Sequence, residues 1–265
     1  MIQPLKLTRG QSITLHTVNG PIQAKVERIQ ETLSGYQVTY DIQGYGLAEY
    51  WYDKPRTGAS GDISLTRIPK EYIGKRGKDF DWTLYGGNVD MAKKIVNAFV
   101  TYFPTYQNDG RGLYIHSSVK GSGKTLLSCC LCTEIVDRYG VNVKFCPVLD
   151  YLEYWKSKTP EAAEAVKSFR RCSLLILDDL GTQQGREWIN EAVFSLVDYR
   201  YRENKPTIYT SNLPIDEASK DERTASRIQG TSLKVVLPNV LIRQKLAEKY
   251  NKELVNQIMK APTGK

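Results

Sequence analysis

Hydrophobic and polar positions change their period partway along the chain. Up to about residue 66, apolar and polar residues alternate in short runs: Ser12 to Val18, Ile22 to Ile29 and Tyr36 to Ile42. Asn19-Gly20 and Ser34-Gly35 fall between these runs. A period of two broken by turn residues predicts an antiparallel hairpin or small barrel. Asp53 to Asp62 is rich in Gly, Pro and Ser and reads as a linker. From Ile68 the pattern lengthens. Met91, Ile95, Val96, Phe99 and Val100 share one helical face within Val89 to Phe103. Strands are predicted at Leu113–His116, Val141–Phe145, Leu174–Leu177, Thr207–Thr210 and Leu233–Leu237. Helices are predicted at Lys124–Tyr139, across Val148–Phe169 and at Glu187–Glu203. Apolar strands alternating with helices imply a five-stranded parallel sheet covered on both faces. The fold class is therefore α/β, preceded by a small β-rich domain. The expected domains are 1–66, 67–238 and a basic C-terminal helix and tail, 239–265.

The stretch Leu113 to Leu127, LYIHSSVKGSGKTLL, changes the picture from fold to chemistry. A short strand runs through a glycine turn into a helix, the setting of a phosphate-binding loop. Backbone N–H groups of Ser118 to Leu126 (Ser118, Val119, Lys120, Gly121, Ser122, Gly123, Lys124, Thr125, Leu126) surround phosphates in such a loop. Lys124 adds a positive charge and Thr125 a hydroxyl for Mg²⁺. Gly121 and Gly123 let the backbone approach closely. The usual first glycine of the pattern is replaced by Ser118, which must tolerate or alter that turn.

Leu174 to Asp179 is an apolar strand ending in two carboxylates. At the carboxyl end of a parallel strand, Asp178 is placed to hold Mg²⁺ and Asp179 to orient or deprotonate water. Taken alone, Asp179 also fits a helix N-cap. Asn212, ending the run Thr207 to Asn212, can hydrogen-bond the γ-phosphate or the attacking water. ATP and Mg²⁺ are the expected cofactors, and an ATPase the expected enzyme.

In their order, these motifs resemble the AAA+ ATPases, in particular the DnaC/DnaI-type helicase loaders and their IstB-type transposition relatives. The resemblance runs from Ile68-Pro69-Lys70-Glu71-Tyr72-Ile73-Gly74 through SSVKGSGKT and LLILDDLG to Thr210-Ser211-Asn212 and Glu222 to Ile228. It implies that Arg227 is an arginine finger acting on a neighbouring subunit, with Arg223 the alternative. It also implies that Arg243 is a second sensor arginine and that Tyr72 and Ile73 border the adenine. The segment Asp150 to Phe169 matches the position of a helix that meets single-stranded DNA in such ATPases; here Trp155, Lys156 and Lys158 are the candidate contacts. In the other reading, Tyr151, Leu152 and Trp155 pack inward and the lysines are simply exposed.

The implied function is an oligomeric, DNA-binding replication factor that loads a hexameric replicative helicase. Two alternatives stay open: a transposition ATPase that binds duplex DNA and recruits a transposase, and an ATP-binding adaptor with marginal hydrolysis. Residues 1–66 depart from the family pattern. They hold no cysteine for a zinc module, and Lys6, Arg9, Lys25 and Arg28 suit either a protein client or DNA.

Composition sharpens little. Thirty-seven Lys and Arg against 29 Asp and Glu give a net +8. Residues 220–265 hold ten basic and four acidic side chains, a net +6, with Leu241, Leu246, Tyr250, Leu254 and Ile258 on one helical face. That pattern predicts a terminal helix packed on the core with a basic outer face. Cys129-x-x-Cys132 lacks a second cysteine pair and reads as small apolar packing. No apolar run is long enough to span a bilayer and the start lacks a signal-peptide core, so no membrane association and a cytoplasmic location are expected.

Overall fold

The computed structural model describes residues 7–17, 20–31, 35–53, 68–182 and 187–260. The N-terminal part is a four-stranded antiparallel meander: β1 (Ser12–Thr17), β2 (Gly20–Glu31), β3 (Gly35–Ile42) and β4 (Gly46–Asp53), in spatial order 1-2-3-4. Its core is Ala24, Val26, Val38, Tyr40 and Ile42. These residues share one face because the register pairs Val26 with Tyr40 and Ala24 with Ile42. A bulge between Val26 and Arg28 shifts the β2–β3 register, and β2 extends two residues beyond the predicted run at each end. The fourth strand was not expected from the alternating pattern. Asp53 ends it, so the rest of the expected linker, like Val18 and Lys6, lies outside the described residues.

The second part holds β5 (Gly112–His116), β6 (Val143–Pro147), β7 (Leu174–Leu180), β8 (Thr207–Ser211) and β9 (Ser232–Val236). They form one parallel sheet in the order β6-β7-β8-β5-β9. Its central strands are buried on both faces, as parallel sheets require. Leu113, Ile115, Leu174, Ile176 and Ile208 face one core, and Tyr114, Leu175, Leu177 and Tyr209 face the other.

The first core is covered by α1 (Asp90–Thr101), α2 (Phe103–Asn108) and α3 (Lys124–Tyr139). The second is covered by α4 (Val148–Lys156), α5 (Pro160–Arg171), α6 (Glu187–Arg202), α7 (Ile215–Ala218) and α8 (Glu222–Thr231). Local rules set the ends. Gly140, left-handed, stops α3, Thr159 caps α5 and Asp221 caps α8.

Three expectations are corrected. The helix expected over Val89 to Phe103 divides at Tyr102, and Pro104 opens the second helix. Strand β6 begins two residues later than expected, because Val141 and Asn142 connect it to the glycine stop. An even shift keeps Val143 and Phe145 on the predicted face. The terminal helix α9 (Ile242–Lys260) buries Ile242 but leaves Leu246, Tyr250 and Leu254 exposed rather than packed. The side chain of Ile258 is outside the described residues. No helix among the described residues is long and apolar enough to cross a membrane.

All five cysteines are buried thiols outside any disulfide. Burial pushes the thiols of Cys130 and Cys132 up to about 12, consistent with packing groups.

Candidate nucleotide-binding site

Strand β5 delivers the chain to the loop 117–123 at the carboxyl end of the sheet, and α3 begins at Lys124. Two glycines shape the loop. Gly123 sits at φ +92°, and a Cβ there would come within 2.9 Å of the Tyr85 hydroxyl. That hydroxyl donates to the Ser122 carbonyl at 2.6 Å, clamping the loop from below. Gly121 lies at φ +80°, and its carbonyl accepts the Arg243 amide at 2.9 Å. The first turn of α9 thus closes the other side. Ser118 keeps a negative φ, so the left-handed turns of the loop fall on glycines alone.

Lys124 is buried. Its ammonium donates to the carbonyls of Ser117 (3.1 Å) and Val119 (3.0 Å), to Ser122 Oγ (3.2 Å) and to Asn212 Oδ1 (2.7 Å). Burial lowers its pKa to about 8, against the opposing pull of Asp179 and Asp178.

On the opposite wall, both Asp178 carboxylate oxygens lie 3.1 and 3.2 Å from Thr125 Oγ1. Thr210 Oγ1 donates to Asp178 Oδ1 at 2.6 Å. Burial raises the Asp178 carboxyl to about 6, although these hydroxyls pull it down. Asn212 Nδ2 donates to Asp179 Oδ1 at 3.1 Å. One amide therefore joins the phosphate-loop lysine to the second carboxylate.

These groups surround a cleft of about 340 Å³ whose rim includes Pro69, Tyr72, Ile242, Arg243 and Leu246. A hydroxyl facing a carboxylate is a hard-oxygen pair that suits Mg²⁺ with phosphate and water completing its shell. Thr125 and Asp178 fit that ion, and a buried carboxylate with a raised pKa is the group such an ion would relieve.

Of the expected site residues, the structure brings Lys120 to Leu126, Tyr72, Arg243, Asp178, Asp179 and Asn212 to this cleft. It leaves others out. Ser118 is exposed and Val119 contributes only its carbonyl. Ile73 is 50% exposed and does not line the cleft, whereas Tyr72 does. Trp155 does not offer a free ring: it packs beside Tyr151 and under the Arg170 guanidinium, against the second core. Lys156 and Lys158 are exposed.

Neither α8 arginine lines the cleft of its own chain. Arg227 is turned onto α6, its Nη2 2.8 Å from Asp198 and its guanidinium over the rings of Phe194 and Tyr201. Its side chain is only 27% exposed, whereas that of Arg223 is 68% exposed beside Asp221. Acting on a neighbour requires Arg227 to leave Asp198.

Sequence reasoning did not assign Tyr85, Ile242, Leu246 or Thr210. Thr210 sits two residues before Asn212 on the strand already singled out, which is the signal that points to it.

A parallel sheet of this order, with the phosphate loop after β5, one strand in from the β9 edge, and paired carboxylates on β7, the next strand but one, defines a P-loop protein of the AAA+ fold. The crystal structure of DnaI superposes on it with a TM-score of 0.56 at 24% identity, over 65% of this chain and 95% of that one. DnaA from Aquifex aeolicus bound to AMPPCP gives 0.52 at 22%, over 71% and 56%. The model of the IstB-like ATP-binding proteins matches residues 85–227, more than half of the chain, and the chain belongs to that family. The uncharacterized protein YqaM of Bacillus subtilis is 26% identical over 165 residues, 57% of this chain and 53% of YqaM, so the chain spans about half of that relative. The replicative helicase loader DnaI of the same species is 23% identical over 236 residues, 80% of this chain and 73% of DnaI.

Proposed function

We propose that this chain binds ATP with Mg²⁺ in the cleft, hydrolyses it in an assembly of like subunits, and loads a replicative helicase onto single-stranded DNA. The observation that carries the hydrolytic part is the Asn212 amide. It ties Lys124 to Asp179, so the phosphate-binding cation and the water-orienting carboxylate act from one network. Lys124 exchanges its loop carbonyls for phosphate oxygens, while N–H groups at the start of α3 meet the same charge. Asp179 accepts a hydrogen bond from the attacking water, and Asn212 fixes where that water sits. Thr125 and Asp178 would hold Mg²⁺, which would supply positive charge beside the phosphate oxygens. Arg227, or Arg223, of a neighbouring copy completes the site.

The client assignment draws on the alignment with a helicase loader, which runs beyond the ATPase fold to cover 80% of this chain. The N-terminal meander is then the client-binding part, with Lys156 and Lys158 on the DNA side. Family membership supports a second reading, transposition on duplex DNA.

The test pairs two measurements. Asp179→Ala is expected to lower ATP turnover at least tenfold while keeping nucleotide affinity, and the wild-type protein to form a stable complex with a hexameric helicase and place it on circular single-stranded DNA. Turnover unaffected by Asp179→Ala points to an adaptor instead. ATP-dependent filaments on duplex DNA without any helicase complex point to transposition.

A further inference from the structure

We infer that Thr210 is a positioning residue whose one hydroxyl sets both carboxylates of the cleft. This rests on the reading of the cleft as a Mg²⁺–nucleotide site.

The pairing of β7 with β8 is regular from Leu175 opposite Thr207 to Leu177 opposite Tyr209, then resumes at Leu180 opposite Ser211. Two residues, Asp178 and Asp179, therefore stand opposite the single residue Thr210, which is the count of a β-bulge. The bulge is what turns two consecutive side chains toward one cleft, since neighbours on a regular strand point to opposite faces. It costs Asp179 a left-handed backbone at φ +62°, a conformation disfavoured for a residue with a Cβ.

Thr210 holds this geometry at two points. Its Oγ1 accepts the Asp179 amide N–H at 2.9 Å and donates its own proton to Asp178 Oδ1 at 2.6 Å. The hydroxyl thus replaces the ladder partner that the bulge removes from Asp179. At the same time both oxygens of Asp178 stay within reach of Thr125 Oγ1, at 3.1 and 3.2 Å. Thr210 is itself 1% exposed, so no solvent molecule substitutes for it easily. Serine retains the bridging oxygen; valine keeps the shape and loses it.

Thr210→Val, Thr210→Ser and wild type are to be compared by amide hydrogen exchange without nucleotide, and by binding of a fluorescent ATP analogue with and without Mg²⁺. In Thr210→Val the Asp179 amide is expected to exchange at least tenfold faster while Ile208 and Leu113 are unchanged. The Mg²⁺ concentration for half-maximal nucleotide binding rises about tenfold, the lower end of what a hydrogen bond to a charged group contributes. Metal-free affinity is unchanged, and Thr210→Ser restores both readouts. Unchanged exchange and an unchanged Mg²⁺ midpoint overturn the inference, as does a serine variant no better than valine. If Thr210→Val does not fold, Thr210→Ala against Thr210→Ser decides on the same criteria. Wild-type protein that binds nucleotide without regard to Mg²⁺ overturns the reading of the cleft. The exchange rate of Asp179 still reports separately whether Thr210 pins the bulge.

Discussion

The Asp178 carboxyl makes the cleft sensitive to pH in a range where an ordinary carboxylate is silent. Burial raises it to about 6 from an ordinary 3.8. In the proposed site only the ionised form would bind Mg²⁺, so protons would compete with the metal. With a pKa of 6, about 3% of the group is protonated at pH 7.5 and roughly 90% at pH 5, which lowers Mg²⁺ affinity about tenfold. An ordinary carboxyl would be less than about a tenth protonated at pH 5, and affinity would barely change. The nucleotide's own phosphates titrate nearby, so the measurement is a ratio. Mg²⁺-dependent binding of a fluorescent nucleotide is recorded from pH 5 to 9 for wild type and Asp178→Asn. The wild-type advantage over the variant is expected to shrink about tenfold on going from pH 7.5 to 5. A ratio that stays flat across that interval refutes the argument from burial. At the alkaline end the sign reverses. Lys124, lowered to about 8, must be charged to attract phosphate, so affinity of both proteins falls above pH 8.

Two further outcomes follow from arginines. Arg200→Ala should destabilise the fold by about 4 kcal/mol, seen as a lower urea midpoint. Arg200 is buried and donates to the carbonyls of Phe169, Arg170, Cys172 and Pro206 and to Thr207 Oγ1, so its removal orphans several buried acceptors; a loss below about 1 kcal/mol would show that water replaces it. Mixing inactive Arg227→Ala protein with inactive Lys124→Ala protein should recover part of the ATP turnover, because the second supplies the arginine that the first lacks; no recovery at any ratio removes Arg227 from a role in trans.

What the sequence revealed was whatever is local in the chain. The strands β5, β7 and β8 were legible because each is a short apolar run bounded by turns, and the loop because its glycines and lysine are contiguous. Asp178, Asp179 and Asn212 were legible because strand ends in a parallel sheet converge. Features that depend on which face meets which neighbour were not. The direction of Trp155 is settled by Phe169 and Arg170, which arrive from α5. The run Gly46–Asp53 hides a strand because Gly, Ala and Glu interrupt its apolar pattern, and its pairing with β3 decides the matter. Tyr85 lies 37 residues from the carbonyl it clamps. Arg200 on α6 serves as the C-terminal cap of α5. The last carbonyls of that helix, which have no partner inside it, take the guanidinium in place of a carboxylate.

That buried guanidinium bears on how an arginine of α8 can communicate with the cleft. Helix α6 carries Arg200 near its end and, on its outer side, Asp198 and Phe194, which hold Arg227. Arg200 fastens the same helix to Pro206 and Thr207 at the base of β8, the strand that leads to Thr210 and Asn212. Sliding α6 against β8 would break several buried hydrogen bonds together, each costing about 1–3 kcal/mol when its partner is left bare. Releasing Arg227 breaks one partly exposed ion pair, a hydrogen bond to the Arg223 carbonyl and two ring contacts on the outer face of α6, and Arg202 stays with the Asp198 carboxylate at 3.0 Å. The cheaper event is thus the departure of one side chain. An arginine drawn to another subunit's nucleotide would leave α6 and β8 in place as one rigid support.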